Sequence, residues 1–271
     1  MIPNVLSIAG SDPSGGAGIQ ADLKTFSALG CYGGAVLTAL TAQNTRGVLG
    51  VETVSAGFVA QQIDAVFDDL RIDAVKIGML ANAAIIAAVA DCLRRWQPRW
   101  IVLDPVMVAK SGHHLLDADA VDALRRDLLP LASIATPNLP EAAVLLDMDE
   151  PVDWAGMERL ADTWQARFGT ALLLKGGHLT GAASPDLLAI DASRHRFDAI
   201  RIGTGNTHGT GCTLSSAIAA LLPRHADIAA AVGAAKAYLT GAIAASGELD
   251  VGHGHGPVHH FHQLWKTGHT S

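Results

Sequence analysis

The sequence predicts an α/β fold in which helices cover both faces of a mostly parallel β-sheet. Short, fully apolar runs alternate along the chain with longer stretches of helical spacing, which is typical of parallel sheets buried on both faces. Polar motifs directly follow most of the apolar runs. No linker or low-complexity stretch interrupts the 271 residues, so we expect a single domain over residues 1–271.

The first half of the chain predicts short strands, each separated from the next by a loop or a helix. Gly30 ends the first helix, because glycine is the favoured residue just beyond a helix C-terminus. The apolar runs predict strands at 5–9, 34–43, 74–77 and 100–103, and the helical spacing predicts helices at 17–29, 58–70 and 85–96.

The second half continues the alternation and adds an antiparallel pair. Pro130 and Pro223 end two of its helices. The patterns predict helices at 118–129, 157–168, 212–222 and 227–245, strands at 134–137 and 170–174, and a hairpin of strands at 187–190 and 197–202.

Composition limits the function classes. The net charge of −7 leaves no broad basic face, so we expect no nucleic-acid partner. The three cysteines, Cys31, Cys92 and Cys212, lie far apart and suit a reducing compartment rather than a disulfide framework. The N-terminus lacks the basic region of a signal peptide, and no run approaches the ~18 apolar residues of a membrane span. We therefore expect a cytoplasmic protein that binds no membrane.

The stretch from 202 to 222, IGTGNTHGTGCTLSSAIAALL, predicts a glycine-rich turn that opens a helix. Unpaired N–H groups and the positive end of the helix dipole make such a turn a site for an anion. Gly209, Thr210 and Gly211 are expected to line it, and Cys212 falls in the first helical turn, where the pKa of a thiol is expected to be lowered. The alternative is a turn whose glycines only shape the backbone and whose cysteine packs in the core.

A second glycine-rich loop, GSDPSGGAG, follows the first predicted strand. Its glycines do not have the GxGxxG spacing of dinucleotide-binding folds, which excludes a Rossmann dehydrogenase. The P-loop pattern also fails, because Gly16 and Ala17 stand where Lys and Ser/Thr are required. This loop is therefore expected to shape a small-molecule pocket.

Several polar side chains fall at strand ends, where ligands bind in open α/β sheets. Asp104 follows a buried strand, and Asn138 and Glu141 lie one helical turn apart, so their oxygens could serve magnesium and its waters. The alternative for Asn138 and Glu141 is a helix start, with Asn as the cap and Glu three residues later. Lys175 could place its charge toward phosphate or remain a solvated turn residue.

Further candidates have weaker support from the pattern. Asp22 and Gln43 are expected to face the same pocket and to pair with an aminopyrimidine edge; the alternatives are an exposed helix residue and a strand-end cap. The segment from Lys110 to Gly112, followed by His113 and His114, predicts a loop that reaches phosphate. Metal binding by the C-terminal histidines is not expected, because their spacing matches no zinc motif; they are His253, His255, His259, His260 and His262.

Taken together, these motifs resemble the hydroxymethylpyrimidine kinase/phosphomethylpyrimidine kinase family of thiamine biosynthesis, within the ribokinase-like superfamily. The resemblance covers nearly the whole chain, from IAGSDPSGGAGIQADLKTF through LTALTAQNTRGV, KIGML, VLDPVMVAKSG, TPNLPEA, LLKGGH and NTHGTGCTLSSAIAA to GHGHGPVHHF. It implies a ribokinase-like fold, ATP with Mg²⁺, a homodimer, and two successive phosphorylations of a small-molecule substrate: the hydroxymethyl group first and the resulting monophosphate second.

The resemblance also implies roles for individual residues. Cys212 is expected to be catalytic, above an anion-binding site of Gly209, Thr210 and Gly211. The remaining expected contacts are Gly10, Asp22, Gln43, Met79 and Val106 to the pyrimidine, Asn138, Lys175, Thr204 and Thr210 to ATP, and Asp104 and Glu141 to the metal and its waters.

Two other functions stay open on the sequence. A pyridoxine/pyridoxal kinase shares the fold and sometimes the cysteine, and it differs in its substrate and in making no diphosphate. A non-catalytic sensor of vitamin precursors or nucleotides would bind the same ligands without turnover. The presence of Asp104, Asn138, Glu141 and Cys212 together argues against the sensor.

Overall fold

A single nine-stranded sheet organises the computed structural model, which describes residues 1–107, 119–180 and 183–265. The sheet order is β3-β2-β1-β4-β5-β6-β7-β8-β9, with antiparallel pairing at both edges and parallel pairing from β2 to β7. The strands are β1 Asn4–Ser11, β2 Tyr32–Asn44, β3 Gly47–Thr53, β4 Ala74–Ile77, β5 Ile101–Leu103, β6 Ile134–Ala135, β7 Ala171–Leu174, β8 Asp186–Ile190 and β9 Ser193–Phe197.

Helices cover both faces of this sheet, as the alternating pattern predicts. The central strands are buried on both sides, which is why they read as continuous apolar runs. The helices are α1 Gly18–Ala28, α2 Ala56–Asp69, α3 Ala83–Trp96, α4 Ala120–Ala123, α5 Leu139–Leu146, α6 Trp154–Phe168, α7 Thr210–Leu221 and α8 Ile228–Ala244.

The core has two parts, one on each face of the sheet. Helices α1, α7 and α8 pack on one face through residues such as Phe26, Ile218 and Val232. Helices α2, α3, α5 and α6 pack on the other through residues such as Ile63 and Trp164. This arrangement fixes α7, the helix that begins at the glycine-rich turn, directly against the central strands.

Helix α8 lies in a stretch, Ile228–Glu248, that could cross a membrane on length and composition alone. Its Ala231, Val232 and Ala235 are fully buried in the core beside α7. Lys236, on the same helix, pairs with Asp186 of β8 at 2.6 Å. One face of α8 thus belongs to the protein core.

The predicted hairpin exists, but its second strand is wrong. Strand β9 runs over Ser193–Phe197 and turns back after Asp191, whose φ of 49° is left-handed. The predicted strand at 197–202 followed the apolar residues, whereas β9 is an edge strand with exposed polar side chains, such as His195, that give no apolar signal. No strand therefore leads directly into the glycine-rich turn.

Two further elements differ from the sequence-based expectation. Strand β3 at the opposite edge was missed, because GVLGVET is half exposed and pairs only with β2. The predicted helix at 118–129 is irregular: after α4 the chain continues as a π-helical stretch, Leu124–Leu128, and a 3₁₀ turn at Leu129–Leu131, which contains Pro130.

Candidate active site

A cavity of about 1090 Å³ opens beyond the carboxyl ends of the central strands. This is the place at which ligands bind in open α/β sheets. The structure brings together at its walls most of the side chains and backbone groups that the sequence singled out: Gly10, Gln43, Met79, Asp104, Val106, Asn138, Glu141, Lys175, Gly209, Thr210, Gly211 and Cys212. Asp22 and Thr204 are not among the residues that line it.

The start of α7 forms one wall of the cavity. Gly209 is the N-cap residue with a φ of 78°, and a β-carbon there would lie 1.8 Å from the carbonyl oxygen of Gly16. Only glycine allows both the left-handed backbone and this close approach. Gly211 and Cys212 belong to the first turn of α7, so their N–H groups have no acceptor within the helix and can face an anion.

The Cys212 side chain lies at this wall, but its acidity is opposite to the expectation. Burial raises the pKa of Cys212 to about 11; the Lys76 ammonium opposes this shift, and the Asp22 and Asp104 carboxylates add to it. The expected lowering of the thiol pKa is therefore wrong, because desolvation outweighs the helix start and the nearby lysine. The thiol is protonated at neutral pH.

Asp104 and Lys175 form a buried ion pair on the floor of the cavity. The ammonium donates to Asp104 Oδ1 at 3.1 Å, and the carboxylate also accepts from Thr136 and from Ser215 of α7. Burial favours the neutral acid, but Lys175 and Lys76 together lower the pKa of Asp104. Asp104 thus presents an ionised carboxylate beside the start of α7.

Asn138 and Glu141 form the capping box that the spacing predicts. The Asn138 side chain accepts from the Glu141 N–H at 2.8 Å, and Glu141 Oε2 accepts from the Asn138 N–H at 2.8 Å. Burial raises the pKa of Glu141 to about 7, with Lys175 opposing and Asp104 adding to the shift. The helix-start interpretation is therefore confirmed; both residues also line the cavity, so a ligand-facing role stays a prediction for the same pair.

Magnesium fits this donor set. Asp104 and Glu141 offer hard carboxylate oxygens to the same cavity, and the charge of Asp104 acts on Glu141. A divalent cation between them would offset the repulsion that helps to raise the pKa of Glu141. Within the described residues, no group of three or more His, Cys, Asp or Glu is placed to hold a metal ion, so magnesium here would keep water ligands.

Asp22 does not face the cavity, and the expectation that it would do so is wrong. Its carboxylate is fully buried and accepts two bonds from Lys76 at 2.8 and 2.9 Å. It also accepts from Ser7 of β1 and Ser216 of α7, both at 2.6 Å. The alternative of an exposed helix residue is equally wrong, because α1 turns this residue toward the sheet. Gln43, expected beside it, does line the cavity.

Thr204 also lies away from the cavity walls. Its hydroxyl faces Ser246 at 3.3 Å and accepts from the Asn206 N–H at 3.1 Å. The glycine-rich segment is longer than the turn that forms the site, and only residues 207–212 of it reach the cavity.

Sequence reasoning missed a pair between the two glycine-rich loops. His208 Nε2 lies 2.7 Å from Asp12 Oδ2 and 3.5 Å from Gln43 Nε2. His208 and Asp12 both line the cavity. The signal was a histidine inside one glycine-rich loop and an aspartate inside the other, but nothing in either spacing pairs them.

Two other groups of candidates had been singled out in the sequence. Lys110, Ser111, Gly112, His113 and His114 fall outside the described residues. Of the C-terminal histidines, His253 and His255 are exposed, whereas His259 and His260 are buried. His260 contacts Thr213 of α7 at 3.2 Å, so the segment packs against the helix that forms the site.

Known proteins similar to this chain are vitamin kinases. The family model described as phosphomethylpyrimidine kinase matches residues 12–259. The hydroxymethylpyrimidine/phosphomethylpyrimidine kinase of Escherichia coli is 56% identical over 262 residues, covering 97% of this chain and 98% of that protein. The protein of the same name from Rhizobium meliloti is 57% identical over 261 residues, covering 96% and 98%.

Solved structures add the same fold. The ADP complex of a Bacillus subtilis pyridoxal kinase superposes with a TM-score of 0.87 at 35% identity, covering 96% of this chain and 98% of that one. A phosphomethylpyrimidine kinase from Clostridium difficile gives a TM-score of 0.79 at 43% identity, covering 89% and 99%. A Staphylococcus aureus pyridoxal kinase with AMP-PCP gives 0.89 at 30% identity, covering 97% and 95%.

Proposed function

Because this chain belongs to the phosphomethylpyrimidine kinase family, we propose that its cavity transfers the γ-phosphoryl group of ATP to two successive acceptors. The protein is a kinase of thiamine biosynthesis. It phosphorylates 4-amino-5-hydroxymethyl-2-methylpyrimidine and then the monophosphate, which gives the diphosphate. The ribokinase-like fold supplies the sheet edge at which both ligands meet.

The observation that carries this proposal is the convergence of three features in one cavity. The start of α7 offers backbone N–H groups, the Asp104–Lys175 pair lies on the floor, and Gly10, Gln43, Met79 and Val106 line the same space. Phosphoryl transfer requires positioning and charge stabilisation more than covalent chemistry. These groups provide both.

We assign the pyrimidine to Gly10, Gln43, Met79 and Val106. The Gln43 side chain carries both a donor and an acceptor, and an aminopyrimidine edge presents the complementary groups. Thr41 Oγ1 lies 3.2 Å from Gln43 Oε1 and helps to orient the amide. In this proposal Asp22 does not contact the pyrimidine. Its bonds to Lys76 of β4 and Ser216 of α7 instead hold α1 against these two elements.

We assign the phosphates of ATP to Asn138, Lys175 and Thr210, and the transferring group to the N–H groups of Gly209, Gly211 and Cys212. Mg²⁺ bound through Asp104 and Glu141 would neutralise charge on the triphosphate. The donor amides carry the larger share of the catalysis, because the Cys212 thiol is protonated at neutral pH. In the first transfer Cys212, once ionised, accepts the hydroxymethyl proton.

The whole protein is proposed as one domain that forms a homodimer in the cytoplasm. The nine-stranded sheet spans the chain from β1 to β9, and α7 and α8 pack back onto it, which supports a single unit. The described cysteines are all free, which suits a reducing compartment. Exposed apolar side chains on the edge pair β2 and β3, Leu40 and Leu49, support a contact with a second copy.

A product analysis tests the proposed function. The purified protein is incubated with Mg²⁺ and ATP and with hydroxymethylpyrimidine, pyridoxine or pyridoxal, and products are identified by mass. We expect hydroxymethylpyrimidine to give first a monophosphate and then a diphosphate. Omission of Mg²⁺ should abolish both. Consumption of ATP without either product would contradict the proposal.

Pyridoxine/pyridoxal phosphorylation remains the second candidate. It is favoured by one observation: pyridoxal kinases at 30% to 35% identity superpose on nearly the whole chain. The same assay separates the candidates, because a pyridoxal kinase makes a monophosphate and stops. Faster turnover of pyridoxal than of hydroxymethylpyrimidine, with no diphosphate, would select this alternative.

A further inference from the structure

We propose that His208 binds the phosphate of the monophosphate acceptor, and that it thereby determines whether the enzyme proceeds from the first phosphorylation to the second. The inference rests on the proposed function and specifies how the same cavity takes an acceptor that changes from a neutral alcohol to an anion.

The position of His208 supports this role. It immediately precedes the N-cap residue Gly209, and it lines the same cavity as the amides to which the transferring group is assigned. Its side chain is 12% exposed, and its Nε2 lies 2.7 Å from Asp12 Oδ2. Within the described residues Nδ1 has no hydrogen-bond partner, which leaves one ring nitrogen for a ligand.

The ring is held in a fixed orientation. Asp12 also accepts from Ser14 N at 2.9 Å, Ser14 Oγ at 2.7 Å and Ala17 N at 2.8 Å, so its carboxylate cannot turn. Gly16 makes room for the imidazole, because a β-carbon there would lie 2.3 Å from His208 Cδ2. When the imidazole is protonated, one N–H can donate to the carboxylate and the other to an anion.

Of the other lysine and histidine side chains among the described lining residues of the cavity, both lysines are already paired with carboxylates. These side chains are Lys76, Lys175 and His178. Lys76 is fully buried on Asp22, and Lys175 is paired with Asp104 near Glu141, on the side assigned to ATP. His178 follows the same strand as Lys175, at the end of β7. His208 lies beside Gln43, and therefore next to the position assigned to the pyrimidine.

The second transfer needs a hydrogen-bond donor next to the acceptor. The hydroxymethyl acceptor is neutral, whereas a phosphate monoester carries a charge of about −1.5 to −2 at pH 7. An oxygen of that phosphate attacks the γ-phosphorus of ATP; the new P–O–P bond forms as the bond to the β-phosphate oxygen breaks, and ADP leaves. No proton has to be removed from the ionised acceptor. The remaining difficulty is repulsion between two anions, which a donor from His208 reduces.

The test is the ratio of the two steps in variants of His208. His208→Gln keeps a donor for Asp12 but lacks the second ring nitrogen, and His208→Asn shortens the side chain. His195→Gln on the exposed strand β9 is the matched control. The ratio of kcat/KM for the monophosphate to that for hydroxymethylpyrimidine is measured for each. We expect it to fall by about 10- to 100-fold in both His208 variants, and not in the control.

A second measurement uses the wild-type protein and does not depend on the folding of a variant. The protein is labelled with ¹⁵N-histidine and titrated with hydroxymethylpyrimidine or its monophosphate. We expect the monophosphate alone to move the Nδ1 resonance of His208. An unchanged step ratio in the variants, or an Nδ1 resonance that does not respond to the monophosphate, would overturn the inference. Failure of the wild-type protein to make any monophosphate would instead overturn the proposed function.

Discussion

Cys212 combines two opposing influences at a single residue. A helix start and a nearby lysine favour the thiolate, whereas burial and two carboxylates favour the thiol, and burial prevails. With a pKa of about 11, about one molecule in 10⁴ carries the thiolate at pH 7. A thiolate of such basicity is scarce but an effective proton acceptor, because general-base strength follows basicity.

We therefore expect the first phosphorylation to depend on pH through Cys212. The value of kcat/KM for hydroxymethylpyrimidine should rise about tenfold per pH unit between pH 7 and 9, and Cys212→Ala should lose ~10²-fold or more and flatten the profile. Cys212→Ser serves as the conservative control. The second phosphorylation should change less, because its acceptor is already ionised. Equal losses in both steps, or a loss well below tenfold with the same profile, would remove the proton-accepting role.

The buried pair of Asp22 and Lys76 should contribute strongly to stability. Replacing Asp22 by Asn removes the carboxylate that pairs directly with the buried Lys76 ammonium, and breaking such a pair costs about 3–5 kcal/mol. We expect urea unfolding at pH 7 to show a loss of this size. Asp198→Asn, which breaks the exposed pair with Arg196, should cost less than about 1 kcal/mol. Similar losses in the two variants would contradict this account.

At the scale of single residues, the sequence located the cavity better than it assigned interactions. Gln43, Asp104 and Lys175 could be predicted because strand ends in a parallel sheet meet at one edge. Cys212 could be predicted because the glycine-rich turn before it marks the start of a helix. The environment of Asp22 could not, because it depends on Lys76 and Ser216, which are distant in the chain. The pKa of Cys212 was mispredicted for the same reason: desolvation is set by the tertiary packing.

Among the elements, the turn into α7 is the one whose backbone allows least substitution. Gly209 combines a left-handed φ with a β-carbon position 1.8 Å from Gly16 O. We expect Gly209→Ala to displace the first turn of α7 and to lower kcat/KM by ~10²-fold or more, as the loss of an oxyanion donor does. Gly205→Ala is the matched control, because no atom lies within 4 Å of a β-carbon there. Equal activity of the two variants would show that the donor geometry does not depend on Gly209.

The C-terminal segment should make the fold sensitive to acid through His260. Burial, aided by the charges of Lys24 and His259, lowers the pKa of His260 from 6.5 to about 3. The unfolded chain therefore binds a proton first as pH falls, and the stability present above pH 6.5 is lost on the way to pH 3.

From pH 7 to 5 we expect this residue to account for a loss of about 2 kcal/mol in the free energy of unfolding. His260→Gln should remove that part of the loss, and His195→Gln should not. Urea unfolding of the three proteins at both pH values measures the difference. Identical pH dependence in wild type and His260→Gln would contradict the assignment.

Among whole elements, those with strong apolar periodicity could be predicted and polar edge elements could not. Strand β4 was predicted with its observed bounds because all four of its residues are buried. Strands β3 and β9 lie at the two edges of the sheet, where exposed side chains obscure the pattern. The helix ending at Pro130 was expected to be regular, and the π-helical stretch before it has no signature in the periodicity.

For the whole molecule, the proposed homodimer is open to a direct test. Sedimentation should give a mass of twice 28.1 kDa. Leu49, 82% exposed on the edge strand β3, is the position to change: Leu49→Glu should shift the mass toward the monomer. Val152→Glu is the matched control, since Val152 is 81% exposed and lies outside the sheet. A wild-type mass of 28.1 kDa would contradict the dimer.

The mutual approach of the two glycine-rich loops has a consequence for how this kinase can be recombined with its relatives. Each loop occupies volume that the other leaves empty: Gly16 admits the imidazole of His208, and Gly209 admits the carbonyl of Gly16. A chimera that takes only one loop from a relative can place a β-carbon where the other loop needs space. It can also leave empty the volume that the imidazole of His208 fills. Residues 11–18 and 207–211 should therefore be exchanged as one block, although nearly two hundred residues separate them.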